Sequence, residues 1–403
     1  MQDSAQEQRL GNWEFALLIS GLFSSSIGQS LIFAILPPLG RSVAFNEVQT
    51  NAIISLSALV FTLSSPRWGR LTDRVGRKPI MISGLVGYSV GTILFTSVFV
   101  VGLQGWITGT LLYALALLAR CLQSVVMSGT NPAAAAYAAD HSSPKYRTQT
   151  LARLGTATSL GMIIGPVFGG ALASFGLLVP LFAAAALTGI SAWAIWYWLP
   201  PVARPLHDRK LRRKLRVLDP RIRGYLLASF GGFVGFSGIQ QTLGFRLQDS
   251  LALSNTETAQ YTGIALMVSA GSTFAMQVLV AQRFKSTPVL LVRWGLGALL
   301  CGALLIASSH GFYLLLGGMA FLGAGLGLMV PAVASGASLA VAPEEQGGAA
   351  GLVTATPAAG FVVGPVACGW LYTIHPWLSP LGAAGVIALV LVLMLQKDRI
   401  RSH

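Results

Sequence analysis

Acidic residues are scarce in this chain, and none stands in the middle of a long apolar run. Asp and Glu together number 13 in 403 residues, and all charged residues make up 10%. Soluble domains usually carry about 25%. Glu14, Glu47, Asp140 and Glu257 fall near the ends of apolar runs; Asp73, Asp249, Glu344 and Glu345 fall between runs. Histidine is nearly as rare. His141, His207, His310, His375 and His403 lie between runs, at their ends or at the terminus. No imidazole is therefore offered at membrane depth as a metal ligand or a general base. Cys121, Cys301 and Cys368 sit in three separate runs. That excludes a disulfide framework and a metal-binding spacing, and it leaves packing as their role. The chain offers no N-x-S/T acceptor in an outer loop.

What the sequence has in abundance is apolar length. It is 54% hydrophobic, with a mean hydropathy of +0.67. A helix needs about 20 apolar residues to cross a bilayer. Twelve runs qualify: 14–36, 48–66, 79–101, 107–130, 149–174, 177–199, 222–246, 258–281, 288–308, 311–340, 347–373 and 378–396. The expectation is an all-α membrane protein with twelve transmembrane helices. Pro37-Pro38 is expected to end the first helix, because proline lacks the donor a helix interior needs.

The net charge of +14 does not point to nucleic acid. With both termini cytoplasmic, 24 of the 27 Lys and Arg fall on the cytoplasmic side. Arg41 and Arg246 lie outside or near the outer edge, and Arg120 lies inside a span. That asymmetry is the positive-inside pattern, and the excess charge faces anionic inner-leaflet lipid. Residues 1–12 are polar, without the apolar core of a signal peptide, so the first span is expected to serve as the insertion signal. Between Pro200 and Ile222 the composition turns to proline and a basic run. This divides the chain into 1–200, a basic cytoplasmic linker at 201–221, and 222–403.

The densest charge lies at Trp68–Pro79, which reads W-G-R-L-T-D-R-V-G-R-K-P. It is expected to be a loop between the second and third helices, with Asp73 capping a helix start. The spacing resembles the G-x-L-x-D-R-x-G-R-K/R signature of the major facilitator superfamily, matched here by Gly69, Leu71, Asp73, Arg74, Gly76, Arg77 and Lys78. In the fourth run, Leu117, Arg120, Gln123 and Ser124 resemble the family's L-x-x-R-x-x-Q-G, with Ser124 in place of the glycine. Buried arginine is costly, by roughly 3 kcal/mol or more, so Arg120 should face the protein interior and have a partner. In the fifth run, Gly161, Gly165, Pro166, Gly169 and Gly170 match the family's antiporter motif. Gly161, Gly165 and Gly169 share one helix face, flat enough for another helix to approach closely.

The second half repeats the first. Gly360-Phe-Val-Val-Gly364-Pro365 aligns with Gly161-Met-Ile-Ile-Gly165-Pro166 at an offset of 199. The duplication and the resemblance together imply two pseudo-symmetric six-helix bundles, with a site between them at the midplane. Candidates for coupling or substrate binding are Arg120, Gln123, Gln29, Phe236, Gln240 and Gln241. Each is also open to a packing role.

Enzyme motifs fail on context. Gly235-Phe236-Ser237-Gly238 is similar to the G-x-S-G of rhomboid-type proteases but has no histidine at membrane depth. Gly323-Ala-Gly325-Leu-Gly327 lies inside an apolar run with no strand before it. The resemblance implies a secondary transporter of the bacterial inner membrane. The expected partners are a small-molecule substrate, protons and membrane lipids, with no cofactor and no metal, in a monomer. Two substrate readings stay open: a proton-coupled exporter of amphipathic compounds or drugs, and an exporter of an anionic metabolite such as a carboxylate siderophore. The second is favoured by Arg120, for which the first half offers no mid-membrane acid.

Overall fold

The computed structural model describes residues 11–142, 147–200, 216, 219–283, 286–342 and 345–401. Most of the basic linker lies outside the described residues. The described chain is helical throughout: α1 (Asn12–Ser42), α2 (Glu47–Val75), α3 (Arg77–Leu103), α4 (Gly109–Met127), α5 (Thr130–Asp140), α6 (Arg147–Leu172), α7 (Val179–Trp198), α8 (Arg223–Leu251), α9 (Asn255–Arg283), α10 (Pro288–Ala307), α11 (Phe312–Leu339), α12 (Gln346–Ile374) and α13 (Leu378–Arg401). Eleven segments are long and apolar enough to cross a membrane, with α4 and α5 together forming one of them. The twelfth crossing is α8, which spans 29 residues but carries Gln240, Gln241, Arg246, Gln248 and Asp249. With helices alone satisfying the backbone in lipid, this is a multi-pass membrane protein.

Two expectations about helix ends are corrected. Helix α1 runs through Pro37 and Pro38 to Ser42. The Ser42 hydroxyl donates to the Pro38 carbonyl over 2.9 Å. In a bilayer a continued helix with local repair costs less than an exposed backbone. The Trp68–Pro79 island is also not a loop. Helix α2 extends to Val75 and α3 begins at Arg77, leaving Gly76 alone as the joint. Gly76 has φ 114°, a conformation that suits glycine. It caps α3 without any side-chain hydrogen bond, so Asp73 is free to bond elsewhere.

The chain forms two compact units. The first holds residues up to Ile32 together with Val60–His207; the second holds Phe33–Leu59 together with Asp208–His403. Each has its own core. In the first, Leu18, Leu22, Met81, Leu85, Tyr137 and Ile195 are buried together. In the second, Leu296, Leu299, Met319, Leu322, Met329 and Ile387 do the same. Lipid tails give helices little hydrophobic reason to associate, so close van der Waals fit must hold them. Bare glycines supply that fit. A Cβ on Gly295 would lie 2.8 Å from the Gly325 carbonyl oxygen, and one on Gly302 would lie 2.7 Å from that of Gly318. Helices α10 and α11 thus touch backbone to backbone. Large apolar side chains such as Leu63, Trp193, Trp196 and Leu389 stay exposed, suited to lipid.

Candidate functional site

At the α2–α3 joint, charge is organised around Arg77. Its Nη1 donates to Asp73 Oδ1 at 2.6 Å, one helical turn back. Its Nε donates to Asp140 Oδ2 at 3.0 Å, at the end of α5. The Arg77 side chain is only 10% exposed, and Asp140 is 19% exposed against 65% for Asp73. Lys78 extends to α7, donating to the Trp196 carbonyl at 2.8 Å and to the Leu199 carbonyl. Trp68 Nε1 donates to the Val125 carbonyl of α4 at 2.5 Å. Charge-assisted bonds of this kind tie the ends of α2, α3, α5 and α7 together. Arg74 is exposed and takes no part in these contacts. A Cβ on Gly69 would meet nothing within 4 Å.

A second cluster lies in the middle of α3 and α4. Arg120 is 6% exposed and Gln123 is 2% exposed. Their i, i+3 spacing puts both on one face of α4. Arg120 Nη1 donates to Gln123 Oε1 at 2.6 Å. Gln123 Nε2 in turn donates to the Thr92 hydroxyl at 2.6 Å and the Tyr88 carbonyl at 3.1 Å, both on α3. The Arg120 guanidinium also reaches the Tyr88 hydroxyl and lies 5.8 Å from the centroid of the Phe95 ring. Its Nε is buried without a hydrogen-bond partner. Two glycines make room. A Cβ on Gly91 would lie 2.6 Å from Gln123 Cβ, and one on Gly28 would lie 2.2 Å from the Tyr88 hydroxyl. Every group that Arg120 touches is neutral. Desolvating a cation among neutral groups makes an anion its natural counter-charge.

The third feature is a seam between α1 and α6. Gly161, Gly165 and Gly169 face α1 directly: Cβ atoms there would lie 2.7 Å from the Phe23 carbonyl oxygen, 1.9 Å from Ser30 Oγ and 3.0 Å from Leu31 Cβ. Ser30 Oγ donates to the Gly161 carbonyl at 3.2 Å. Pro166 and Gly170 are buried beside the seam. The same construction recurs between α8 and α12. Ser237 Oγ donates to the Gly360 carbonyl at 3.0 Å, and a Cβ on Gly364 would lie 2.2 Å from Ser237 Oγ.

The remaining candidates are less connected. Gln240 and Gln241 are adjacent on α8, 7% and 1% exposed, and each has one polar atom without a partner. Phe236 is half-buried against the core of its unit, and Gln29 is half-buried on α1. No group of His, Cys, Asp or Glu among the described residues could hold a metal ion. Sequence reasoning missed Asp140, Tyr88, Thr92 and Phe95. The α3 residues did leave a signal. Gly84, Gly87 and Gly91 mark a small-residue stripe, and Tyr88, Thr92 and Phe95 run beside it at helical spacing.

Glycine seams, a duplicated serine bond and buried polar groups organise this helical membrane chain, and its family and fold are those of transporters rather than enzymes. The chain belongs to the Major Facilitator Superfamily, matching it over residues 18–310 and 289–401. It is 26% identical to Multidrug resistance protein 1 of Bacillus subtilis over 380 residues, 90% of each chain. It is 29% identical to Multidrug resistance protein 2 of the same organism over 192 residues, which is 48% of this chain and 44% of that one. The fold matches a bacterial homologue of the human lysosomal transporter Spinster, with a TM-score of 0.78 and 15% identity over 96% of both chains.

Proposed function

We propose that this chain exports small amphipathic compounds across the bacterial inner membrane by alternating access, as a monomer with both termini cytoplasmic and protons as the coupling ion. The observation that carries the proposal is the side-chain-free seat of α6 on α1, built from the residues that resemble the antiporter motif. The multidrug-resistance relatives support the same direction of transport. Residues 1–200 and 222–403 would form the two bundles, joined by the linker at 201–221. Asp73, Arg74 and Arg77 would steady the outward-facing state through contacts between the cytoplasmic helix ends. Gly161, Gly165, Pro166, Gly169 and Gly170 would set the fit of the fifth membrane helix, and Arg120, Gln123, Gln29, Phe236, Gln240 and Gln241 would bear on coupling or substrate.

A second reading is favoured by one observation, the wholly neutral surroundings of Arg120. On that reading the cargo is an anionic metabolite, such as a carboxylate siderophore, whose negative charge completes the site. A thermal-shift panel separates the two, comparing lipophilic cations with carboxylate-rich anions on the wild type and Arg120→Ala in detergent. A ligand at 100 times its Kd adds about 2.7 kcal/mol of stability. Cations that stabilise both proteins support the amphipathic-drug reading. Anions that stabilise only the wild type overturn it in favour of the second. Coupling is tested in vesicles, where adding a stabilising ligand should drive proton movement.

A further inference from the structure

The outer half of α1 presents one face to α8 and α12, and that face ends in an ion-pair cluster that none of the family motifs includes. Phe33, Pro37 and Arg41 stand at i, i+4 and i+8, so they share the face. Phe33 stacks on Phe361 of α12 with centroids 5.9 Å apart. Pro37 lies against Gly244 of α8, where a Cβ would come within 2.8 Å of the proline Cβ. Arg41 closes the series. Its Nη1 donates to Asp249 Oδ1 at 2.5 Å and Gln248 Oε1 at 3.1 Å, and its Nη2 donates to Asp249 Oδ2 at 2.9 Å and Glu47 Oε1 at 2.9 Å. The guanidinium lies 5.0 Å from the centroid of the Phe245 ring. Asp249 also accepts from the Tyr372 hydroxyl at 2.7 Å. One arginine therefore joins α1, α2 and α8, and through Asp249 it joins α12. Beside it, Asn255 Nδ2 donates to Ser42 Oγ at 2.8 Å, adding α9.

The bidentate Arg41–Asp249 pair fixes both partners in orientation, which a lone lysine could not do. Arg41 is the one basic residue of the α1–α2 turn, and it is met by two carboxylates from a chain with only 13. We propose that Arg41, Glu47, Asp249 and Tyr372 form an outer latch, which holds the α1–α2 turn on α8 and α12 and must part when the substrate path opens outward. The proposal rests on the alternating-access reading above. In it, the latch at Glu47 and the Arg77 cluster at Asp73 hold opposite ends of α2, so weakening the latch favours the outward-open state.

The test reads accessibility, which requires no substrate. In a variant with Cys121, Cys301 and Cys368 replaced by alanine, Ser55→Cys provides a reporter two turns inward of Glu47. Ser55 is 2% exposed, and its hydroxyl has no hydrogen-bond partner to lose. A membrane-impermeant maleimide is applied to intact cells. Asp249→Asn and Arg41→Gln should each raise the labelling rate several-fold, with a smaller rise for Tyr372→Phe. In a Glu47→Gln background, Arg41→Asp and Asp249→Arg should each label fast singly and slowly when combined. Unchanged labelling in the single variants, or fast labelling in the combined pair, overturns the latch. Altered labelling in a protein that moves no compound would instead retain the latch and overturn the export reading.

Discussion

Ser237 and Gly360 are joined by a hydrogen bond from hydroxyl to backbone carbonyl, and Ser30 and Gly161 repeat it in the other unit. The bond forms only because the neighbouring glycine leaves the serine room. A side chain at Gly165 would overlap Ser30 Oγ and come within 2.5 Å of the Ile27 carbonyl oxygen. The second contact is backbone and cannot rotate away. Overpacking of this kind costs about 1–3 kcal/mol. Gly165→Ala should therefore lower the melting temperature in detergent, and Gly165→Val should lower it further. Ser30→Ala should have a milder effect, because the Gly161 carbonyl keeps its place in the α6 helix.

Gly69 behaves in the opposite way, although it belongs to the charged signature. Nothing lies within 4 Å of a Cβ there, and the residue sits inside α2. Glycine within a helix costs roughly 0.5–1 kcal/mol relative to alanine. Gly69→Ala should thus melt at the same temperature as the wild type or higher. If its transport nevertheless falls, the bare surface is needed in a different conformation. A loss of stability would contradict the open space seen here. Gly76→Ala is the contrasting case: its φ of 114° should make the substitution cost about 1–3 kcal/mol.

The two carboxylates of Arg77 are not equivalent. Asp73 is mostly exposed, so its pairing should contribute about 0–1 kcal/mol. Asp140 is more enclosed and joins elements 63 residues apart, for an expected contribution of about 1–2 kcal/mol. Melting curves should rank Asp140→Asn below Asp73→Asn. Transport is expected to respond differently, with Asp73→Asn inserting normally and losing activity. Wild-type transport by Asp73→Asn would end the gating role proposed for this cluster.

The apolar runs located the crossings, because lipid demands long apolar helices and little else satisfies that demand. Helix ends were harder to read. Pro37-Pro38 and the charged stretch after Pro66 both look like helix stops by rules that assume water is ready to solvate a broken backbone. In α1 and α2 the helix continues past both, to Ser42 and Val75. At the α3–α4 cluster, the i, i+3 spacing of Arg120 and Gln123 fixed their shared face. Their acceptors Tyr88 and Thr92 lie 31 to 35 residues away, a distance that local periodicity cannot bridge. Asp140 was hidden for the same reason. Position near a helix end was legible, but its pairing with Arg77 depends on how α5 packs on α3.

Arg120 and Gln123 form a pair whose removal, one residue at a time, should be strongly non-additive. Gln123→Leu takes away the acceptor of Arg120 Nη1 in a site where Arg120 is 6% exposed. Leaving a buried charged donor unpaired should cost about 2–3 kcal/mol. Arg120→Met removes the charge together with its desolvation cost, which offsets the loss of the donor to Gln123 Oε1. Its stability should stay within about 1 kcal/mol of wild type. Combining Arg120→Met with Gln123→Leu should then recover most of what Gln123→Leu alone loses. Melting curves for the four proteins of this cycle measure the coupling. Simple additivity would mean that Gln123 serves the α3–α4 contact through Thr92 and Tyr88 and does little for Arg120. Strong coupling, with transport abolished in a stable Arg120→Met, would mean that the arginine is retained at the expense of fit because the bound cargo or the coupling step needs its charge.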